Sequence, residues 1–392
     1  MASLYLHIPF CEHKCIYCDF YSVESLDSMD RFLSALKQEI ELYADYSIKE
    51  EFETIFFGGG TPSLLKPKTL HEILDRLSTT FTIRRDAEVT VEANPGTVDR
   101  AKLRSYREAG VNRLSFGVQS FHDDELKFLT RIHSSEQAKV SVLMAKDVGF
   151  NNVNIDLIFS LPNQTLQRWE ENLRQAVELE PQHISAYSLI VEKGTPLADM
   201  VAAKLVSPLP VETEAEMYEF TMAYLRSAGF QHYEVSNYAK PGFRSRHNSN
   251  YWNHSNYLGF GPSAHSFWSA TPLGDRRRWW NVRSIDGYCE KILNRQLPLA
   301  GQEVLTEEQL VEEAIMLGLR SDGIDLYRLS SEFGVDLLTA ARSTIEQLTA
   351  EHLTTLNDHT LRLTDKGYLL CDEISEVMIS SISLAHTSCE SV

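Results

Sequence analysis

Near its start the chain reads His7-Ile-Pro-Phe-Cys-Glu-His-Lys-Cys-Ile-Tyr-Cys-Asp-Phe20, which places three cysteines, Cys11, Cys15 and Cys18, within eight residues. The C-x3-C-x2-C spacing supplies three thiolates, whereas a [4Fe–4S] cluster has four irons. One iron of such a cluster keeps an open position, where a small molecule can bind. The alternative is a zinc site in which His13 joins the cysteines, because zinc loops space their ligands by two to four residues.

The composition predicts two domains and an intracellular location. The chain has 392 residues, and 43% of them are hydrophobic. This length exceeds the roughly 250–300 residues at which a single core stops growing. No apolar run approaches the ~18 residues of an intrinsic membrane segment, and the N-terminus carries no secretory leader pattern. We therefore expect a cytoplasmic protein, in which the crowded cysteines serve as metal ligands and not as disulfides.

The net charge of −18 argues against polyanionic partners. Residues 301–392 contain seventeen acidic and only five basic residues. A surface this acidic repels phosphate backbones, so we expect no nucleic acid partner.

The first half of the chain alternates short apolar runs with amphipathic stretches. Strands are predicted at 4–8, 54–57, 88–92, 113–117, 152–158 and 183–189. Helices are predicted between them at 30–46, 67–78, 98–108, 134–148 and 166–179. This repeat predicts an α/β fold with parallel strands and covering helices.

Polar residues cluster directly after these strands, at 11–18, 58–62, 92–95, 119 and 161–162. In a (β/α) barrel the carboxyl ends of the strands form one face, which carries the chemistry. We therefore predict a partial or full TIM-type barrel. A doubly wound open sheet is the alternative, but it does not bring so many strand ends together.

The remainder of the chain divides into an aromatic-rich region and a helical region. A helix at 212–227 and a strand at 230–235 precede a loop-rich aromatic stretch that runs to Asn281. Helices at 305–319, 324–333 and 337–350 precede a short hairpin, an order that resembles a winged-helix module. We predict a barrel at 1–235, an aromatic extension at 236–300 and a C-terminal helical domain at 301–392. That domain lacks a basic stripe, so we expect it to pack on the barrel or to meet a protein partner.

The three-cysteine stretch resembles the signature of the radical S-adenosylmethionine (SAM) proteins, in which SAM completes the open iron of a [4Fe–4S] cluster. Gly58-Gly-Gly-Thr-Pro62 follows the second strand, where that family has a glycine-rich segment that binds the SAM amino group. The resemblance implies cluster ligation by Cys11, Cys15 and Cys18. It implies SAM contacts from ten residues, namely Tyr5, Tyr17, Gly59, Gly60, Thr61, Glu92, Gln119, Arg131, Asp156 and Ile190.

The resemblance is to the HemN/HemW group, which contains oxygen-independent coproporphyrinogen III oxidases and haem chaperones. The oxidases carry a fourth cysteine where this chain has Phe20, and a long extension where only ten residues precede Cys11. Both departures are features of the chaperone, or HemW, branch.

A second motif agrees with that branch. His247-Asn-Ser-Asn-Tyr-Trp252 resembles an H-N-x-x-Y-W segment associated with haem binding. The resemblance implies three haem-contacting residues, His247, Tyr251 and Trp252. Histidine is a good axial ligand, and Tyr and Trp offer flat surfaces to a macrocycle. His254 and His265 are alternative ligands, and Arg276-Arg-Arg-Trp-Trp280 is either a grip for haem propionates or a solvated turn.

The resemblance therefore implies a haem chaperone that carries a [4Fe–4S] cluster and SAM and hands haem to an acceptor protein. Its expected partners are haem, that acceptor, and an electron donor such as a flavodoxin or ferredoxin. The alternative function is oxidative decarboxylation of coproporphyrinogen III in porphyrin biosynthesis. The missing fourth cysteine argues against oxidase turnover.

Overall fold

The computed structural model describes residues 2–47, 50–269 and 275–389. The six predicted strands are present as β1 (Ala2–Ile8), β2 (Phe52–Gly59), β3 (Ile83–Ala93), β4 (Arg113–Gln119), β5 (Val153–Phe159) and β6 (His183–Ser188). Each pairs in parallel with the next. The helices between them are α1 (Met29–Leu42), α2 (Pro67–Thr80), α3 (Arg100–Glu108), α4 (Asp123–Phe128), α5 (Ser135–Asp147) and α6 (Leu166–Glu178). The predicted α/β fold is confirmed, and only α4 of these elements was not predicted.

The carboxyl ends of strands β2 to β6, together with the cysteine loop after β1, line one cavity of about 440 Å³, here called the strand-end cavity. A flat sheet would hold β2 and β6 about 19 Å apart, because neighbouring strands are spaced about 4.8 Å. A cavity of this size is far narrower than that, so the sheet curves around it. Among the described residues the sheet does not close on itself, since its two outermost strands pair on one side only. The architecture is a partial barrel.

Further strands extend the sheet on both sides of the barrel. The middle of the chain forms α7 (Pro196–Ala202), α8 (Val211–Ser227), β7 (Gln231–Glu234), β8 (Asn237–Ala239), α9 (Arg246–Trp252), β9 (Asn256–Phe260), β10 (His265–Trp268), β11 (Arg277–Asn281), α10 (Ile285–Leu293) and β12 (Leu299–Val304). The strand order is β12-β11-β10-β9-β1-β2-β3-β4-β5-β6-β8-β7. The loop-rich stretch predicted up to Asn281 is therefore wrong: most of its aromatic residues lie on strands that continue the barrel sheet.

Side chains alternate between the two faces of the barrel strands. On β1, Leu4, Leu6 and Ile8 join the hydrophobic core between sheet and helices. The alternate residues of β1 face the barrel interior, as does Thr54 of β2. They include the buried polar side chains Ser3 and His7. The barrel interior is thus a polar environment, which needs internal hydrogen bonds because buried polar groups are costly when unpaired.

The last quarter of the chain has a hydrophobic cluster of its own. It comprises α11 (Glu307–Leu319), β13 (Ile324–Asp325), α12 (Leu326–Phe333), α13 (Leu337–Ala340), α14 (Arg342–Ala350), β14 (Thr354–Asn357), β15 (Thr360–Leu363), α15 (Asp365–Tyr368) and α16 (Cys371–Cys389). The structure differs from prediction in three respects, one of which is that helices α15 and α16 follow the hairpin and were not predicted. Residues 324–325 form a strand that pairs with β15, and the helix predicted at 337–350 is interrupted at Ala341.

Acidic residues of this C-terminal unit pair with basic residues of the barrel and its extension. Arg226 of α8 contacts Asp365 at 2.7 Å, and Arg244 contacts Asp322 at 2.5 Å. Ion pairs of this kind contribute little when exposed, about 0–1 kcal/mol each, but they fix orientation. Some of the acidic residues of the C-terminal unit therefore form ion pairs within the chain.

Glu39 of α1 is a buried carboxylate that anchors the turn between β9 and β10. Its Oε2 atom accepts hydrogen bonds from the Gly261 N–H at 2.8 Å and the Tyr288 hydroxyl at 2.6 Å, and its Oε1 atom accepts from the Asn281 side chain at 2.7 Å. Burial nevertheless raises the pKa of Glu39 to about 7. The turn that leads into His265 is held from behind by this carboxylate.

This raised pKa predicts a pH-dependent contribution to stability. The folded chain binds a proton at Glu39 more tightly than the unfolded chain, whose glutamate has a pKa near 4.5. The contribution of Glu39 is therefore largest at low pH and declines as pH rises towards 7. We expect Glu39→Gln, which cannot titrate, to gain about 2–3 kcal/mol relative to the original protein between pH 5 and 8. Urea unfolding under anoxic conditions measures this difference.

The surface variant Glu108→Gln serves as the control and should show no such trend. A constant difference between the Glu39 variant and the original protein across that pH range would contradict the prediction.

Candidate functional site

The three cysteines lie on the loop that follows β1. Cys11 and Cys15 are buried, Cys18 is partly buried, and all three are free thiols. Burial raises the pKa of Cys11, and it raises the pKa of Cys18 to about 11. Thiols this hard to ionise become ligands when a metal displaces their protons.

Soft sulfur donors of this kind suit both iron–sulfur clusters and zinc. Among the described side chains, no three or more His, Cys, Asp or Glu residues form a group placed to hold one metal ion. A [4Fe–4S] cluster, by contrast, bonds each thiolate to a different iron.

Two side chains donate towards the cysteine sulfurs. The Thr61 hydroxyl lies 3.6 Å from Cys11 Sγ, and Arg131 Nη1 lies 3.5 Å from Cys15 Sγ. Arg131 is partly buried, and its Nη2 atom donates to Asn94 Oδ1 at 2.6 Å and to the Gly117 carbonyl at 2.7 Å. Donors and positive charge beside thiolates stabilise the negative charge that thiolates and clusters carry.

The glycines after β2 permit a close approach of two backbones. Gly59 has a φ of +106°, and a Cβ atom there would lie 2.6 Å from the His7 ring. A Cβ atom at Gly60 would lie 2.6 Å from the Phe10 carbonyl oxygen. The Gly60 N–H donates to the Ile8 carbonyl at 2.9 Å, which ties the glycine segment to the start of the cysteine loop.

Two partly buried carboxyl groups, Glu92 on β3 and Asp156 on β5, face the strand-end cavity. Burial and the charge of Asp156 raise the pKa of Glu92 to about 8. Burial also raises the pKa of Asp156, against hydrogen bonds from Asn154 at 2.7 Å and Ser115 at 3.1 Å. Two carboxyl groups that resist ionisation because they are buried together favour a cationic ligand, which would offset their charge.

The strand-end cavity brings together nine of the ten residues predicted to contact SAM: Tyr17, Gly59, Gly60, Thr61, Glu92, Gln119, Arg131, Asp156 and Ile190. Gln119 has a φ of +67°, and its side chain folds back over Gly117, which has no Cβ to obstruct it. Tyr5 is the exception and lines a neighbouring pocket.

Several cavity residues were not predicted. Asn94 lies within the polar cluster at 92–95 and bridges Arg131 to Thr61. Its side-chain amide donates to the Thr61 hydroxyl at 3.1 Å. Ser115 of β4 lines the cavity and supports Asp156. The available signal for Asn94 was its position directly after β3, two residues beyond Glu92. Ser115 lies inside a strand, where a lone serine gives no signal.

The histidine of the H-N-x-x-Y-W segment lies in the barrel interior. His247 is at the start of α9 and is 1% exposed. Its Nδ1 atom is 2.8 Å from the Thr54 hydroxyl, and its Nε2 atom is 3.0 Å from the Tyr251 hydroxyl. The ring stacks on Phe56 with centroids 4.8 Å apart, and burial lowers its pKa to about 3. Haem ligation by His247 stays a prediction, and it would require one of these hydrogen bonds to break.

The other residues that were predicted to contact haem lie on several elements, and most of them already have partners within the chain. Trp252 is partly buried at the end of α9, and His254 contacts Glu313 Oε2 at 3.0 Å. In β11, Arg277 pairs with Asp275, and Arg278 pairs with Glu303 at 2.6 Å. The segment 276–280 is therefore mainly a paired strand and not a solvated turn, and these two arginines already have carboxylate partners.

A second pocket of about 350 Å³ adjoins the strand-end cavity, and we call it the aromatic pocket. It is lined by Tyr5, His7, Asp19, Phe20, Tyr21, Tyr251, Tyr257, Ser263, His265 and Arg283. Asp19 and Phe20 line both cavities. Phe20 is 61% exposed, so a large aromatic face stands at the junction of the two.

No helix of the described residues is both long enough and apolar enough to cross a membrane.

Comparison with known proteins places these cavities in context. The family model of the radical SAM superfamily matches residues 5–176, and that of the HemN C-terminal domain matches residues 305–370. The chain is 38% identical to "Heme chaperone HemW" of Bacillus subtilis, over 95% of this chain and 98% of that protein. It is 37% identical to the protein of the same name from Mycobacterium tuberculosis, over 96% and 94%.

Two further comparisons concern an animal protein and a solved structure. The chain is 32% identical to "Radical S-adenosyl methionine domain-containing protein 1, mitochondrial" of Danio rerio, over 98% of this chain and 88% of that one. The solved structure of coproporphyrinogen III oxidase (HemN) from Escherichia coli, a radical SAM enzyme, superposes with a TM-score of 0.81. That comparison covers 97% of this chain and 90% of the other at 22% identity, and it shows a shared fold.

Proposed function

Because the chain belongs to the HemW family, we propose that it binds haem and transfers it to an acceptor protein, and that it carries a [4Fe–4S] cluster and SAM. The observation that carries this proposal is the pair of adjoining cavities. The strand-end cavity offers the Cys18 thiol, carboxylates and an arginine, and the aromatic pocket offers flat rings and two histidines.

The residues of the strand-end cavity fit a cluster and SAM. Cys11, Cys15 and Cys18 would ligate three irons, with Thr61 and Arg131 as donors to their sulfurs. When bound, the cluster and SAM together supply one-electron chemistry. The protein would hold the thiolates through the cysteine loop and would compensate their charge through Thr61 and Arg131.

The carboxyl groups and the glycine segment would orient SAM. SAM carries a sulfonium and an ammonium, and Glu92 and Asp156 offer the negative charge that such a cation needs. The Gly59 N–H donates to Glu92 Oε2 at 3.2 Å, so the glutamate and the glycine segment are positioned together. An electron donor such as a flavodoxin or ferredoxin would reduce the cluster.

The aromatic pocket is the proposed haem site. Five of its ten lining residues are aromatic, and flat rings pack well against a macrocycle. Arg283 lies at its edge and donates to the Asp19 carbonyl, and a guanidinium is a suitable partner for a propionate. Tyr251 of the H-N-x-x-Y-W segment reaches this pocket, whereas His247 lies behind it, among interior side chains.

The remaining parts of the chain have supporting roles in this proposal. We propose that the barrel at 1–235 carries the cluster and SAM, and that the extension at 236–300 forms one wall of the haem site. The unit at 301–392 is proposed to contact the haem acceptor, since its acidic surface is exposed beyond the pairs that it makes with the barrel.

The proposal is tested with protein reconstituted anaerobically with iron, sulfide and SAM. We expect stoichiometric haem binding with a defined Soret band, transfer of that haem to apomyoglobin as a probe acceptor, and no decarboxylation of coproporphyrinogen III. A matched sample without added cluster separates haem binding from cluster assembly. Appreciable formation of protoporphyrinogen, or the absence of a haem complex at micromolar concentrations, would overturn the chaperone assignment.

A further inference from the structure

Four histidines lie in or next to the aromatic pocket, and three of them are already engaged. His247 has hydrogen-bond partners on both ring nitrogens, Thr54 and Tyr251. His7 has Nδ1 at 3.2 Å from the Tyr5 hydroxyl and Nε2 at 2.7 Å from the Tyr21 carbonyl. The third, His254, is held by Glu313 through a 3.0 Å contact.

His265 is the fourth, and it differs from the others. It is the first residue of β10, it lines the aromatic pocket, and its side chain is exposed there. In the described part of the chain, no hydrogen bond or ion pair involves either of its ring nitrogens. Partial burial and the charge of Arg278 lower its pKa, so the imidazole is neutral near pH 7 and has a lone pair to donate.

The position of His265 is held rigidly from two directions. Its ring stacks on Trp280 with centroids 6.0 Å apart and planes 24° apart. Trp280 fits there because the residue opposite it is Gly301, where a Cβ atom would come within 2.4 Å of the indole. Behind the turn, Glu39 binds Gly261 and Asn281. A ligand residue on a fixed strand orients a metal more precisely than one on a loop.

We infer that His265, and not His247, supplies the axial bond to haem iron. This inference rests on the proposed haem-binding function. The bond forms by donation of an imidazole lone pair to the iron, without proton or electron transfer. In this arrangement the macrocycle would lie against the pocket aromatics, including Phe20 at the junction with the strand-end cavity. Tyr251 would contact the cargo, and His247 would support Tyr251 from the interior.

The test compares ferric haem titrations of His265→Ala and His265→Gln with the unaltered protein. We expect at least a tenfold weaker affinity and a shifted Soret band in both variants. Added imidazole should restore the Soret position in His265→Ala, because a free imidazole can occupy the vacated position. The surface variant His71→Ala is the matched control and should leave both the affinity and the spectrum unchanged.

A parallel titration of His247→Ala separates a structural role from ligation. We expect a lowered thermal midpoint, because Thr54 and Tyr251 lose a buried partner, and a Soret position like that of the unaltered protein for the haem that binds. The inference is wrong if His265→Ala keeps the original affinity and spectrum. Failure of the unaltered protein to bind haem would instead remove the proposed function.

Discussion

Replacing Cys11, Cys15 and Cys18 together with alanine is expected to remove all bound iron and acid-labile sulfide, from about four of each per chain to none. In the proposed arrangement each thiolate would hold a separate corner of the cluster, and Cys289 and Cys371 lie elsewhere in the fold. The broad visible absorption of the cluster should vanish, and SAM should no longer bind, because its iron anchor is absent. Iron and sulfide analysis with EPR of the reduced anoxic protein measures this loss.

The double variant Cys289→Ala with Cys371→Ala is the matched control, because both residues are buried free thiols elsewhere in the fold. It should keep the full iron content. Iron and sulfide retained in the triple variant would contradict the prediction. One zinc per chain in the unaltered anoxic protein would instead favour the zinc site.

Replacing Arg131 with alanine is expected to weaken SAM binding at least a hundredfold and to lower the yield of cluster. The guanidinium lies beside Cys15 Sγ and is the shared partner of Asn94 Oδ1 and the Gly117 carbonyl. Its removal takes this donor from both acceptors and withdraws the positive charge beside the thiolates. Asn94 would then no longer be fixed towards Thr61.

Arg131→Lys separates charge from geometry, since an ammonium keeps the charge but cannot form the planar fork of a guanidinium. We expect intermediate SAM affinity and near-normal iron content for this variant. Equilibrium dialysis with SAM and iron analysis provide the two readouts. The surface variant Arg104→Ala should match the unaltered protein, and normal SAM affinity in Arg131→Ala would refute the assigned role.

The barrel could be predicted closely because its strands are short apolar runs bounded by polar turns. The fourth strand, for example, is predicted at 113–117 and is observed at Arg113–Gln119. The strands β9 to β12, which extend the sheet beyond β1, were not predicted for a physical reason. Strand β10 (His265–Trp268) places a histidine, a serine and two aromatic residues in four positions, so it lacks the apolar–polar alternation of a half-buried strand.

The site divides in the same way. Glu92 and Asp156 could be predicted from the resemblance to the radical SAM proteins, and they lie on two strands, β3 and β5, whose carboxyl ends line the strand-end cavity. The engagement of His247 could not, since its partner Thr54 lies 193 positions earlier and no local pattern joins them. Phe20 was noted as a departure from the oxidase pattern. Its position at the junction of the two cavities depends on how the cysteine loop packs near β9 and β10, and no local sequence pattern predicts that packing.

Asp19 and Phe20 form a wall that is shared by the strand-end cavity and the aromatic pocket. Binding in one cavity is therefore thermodynamically linked to binding in the other through these two residues. Any shift of these two residues on filling the strand-end cavity changes the shape presented to cargo next door. Reciprocity then requires that cargo alter the affinity for the nucleotide by the same factor. If the proposed cofactor moves this short segment when it binds, the affinity for haem would differ between the cofactor-loaded and the cofactor-free protein.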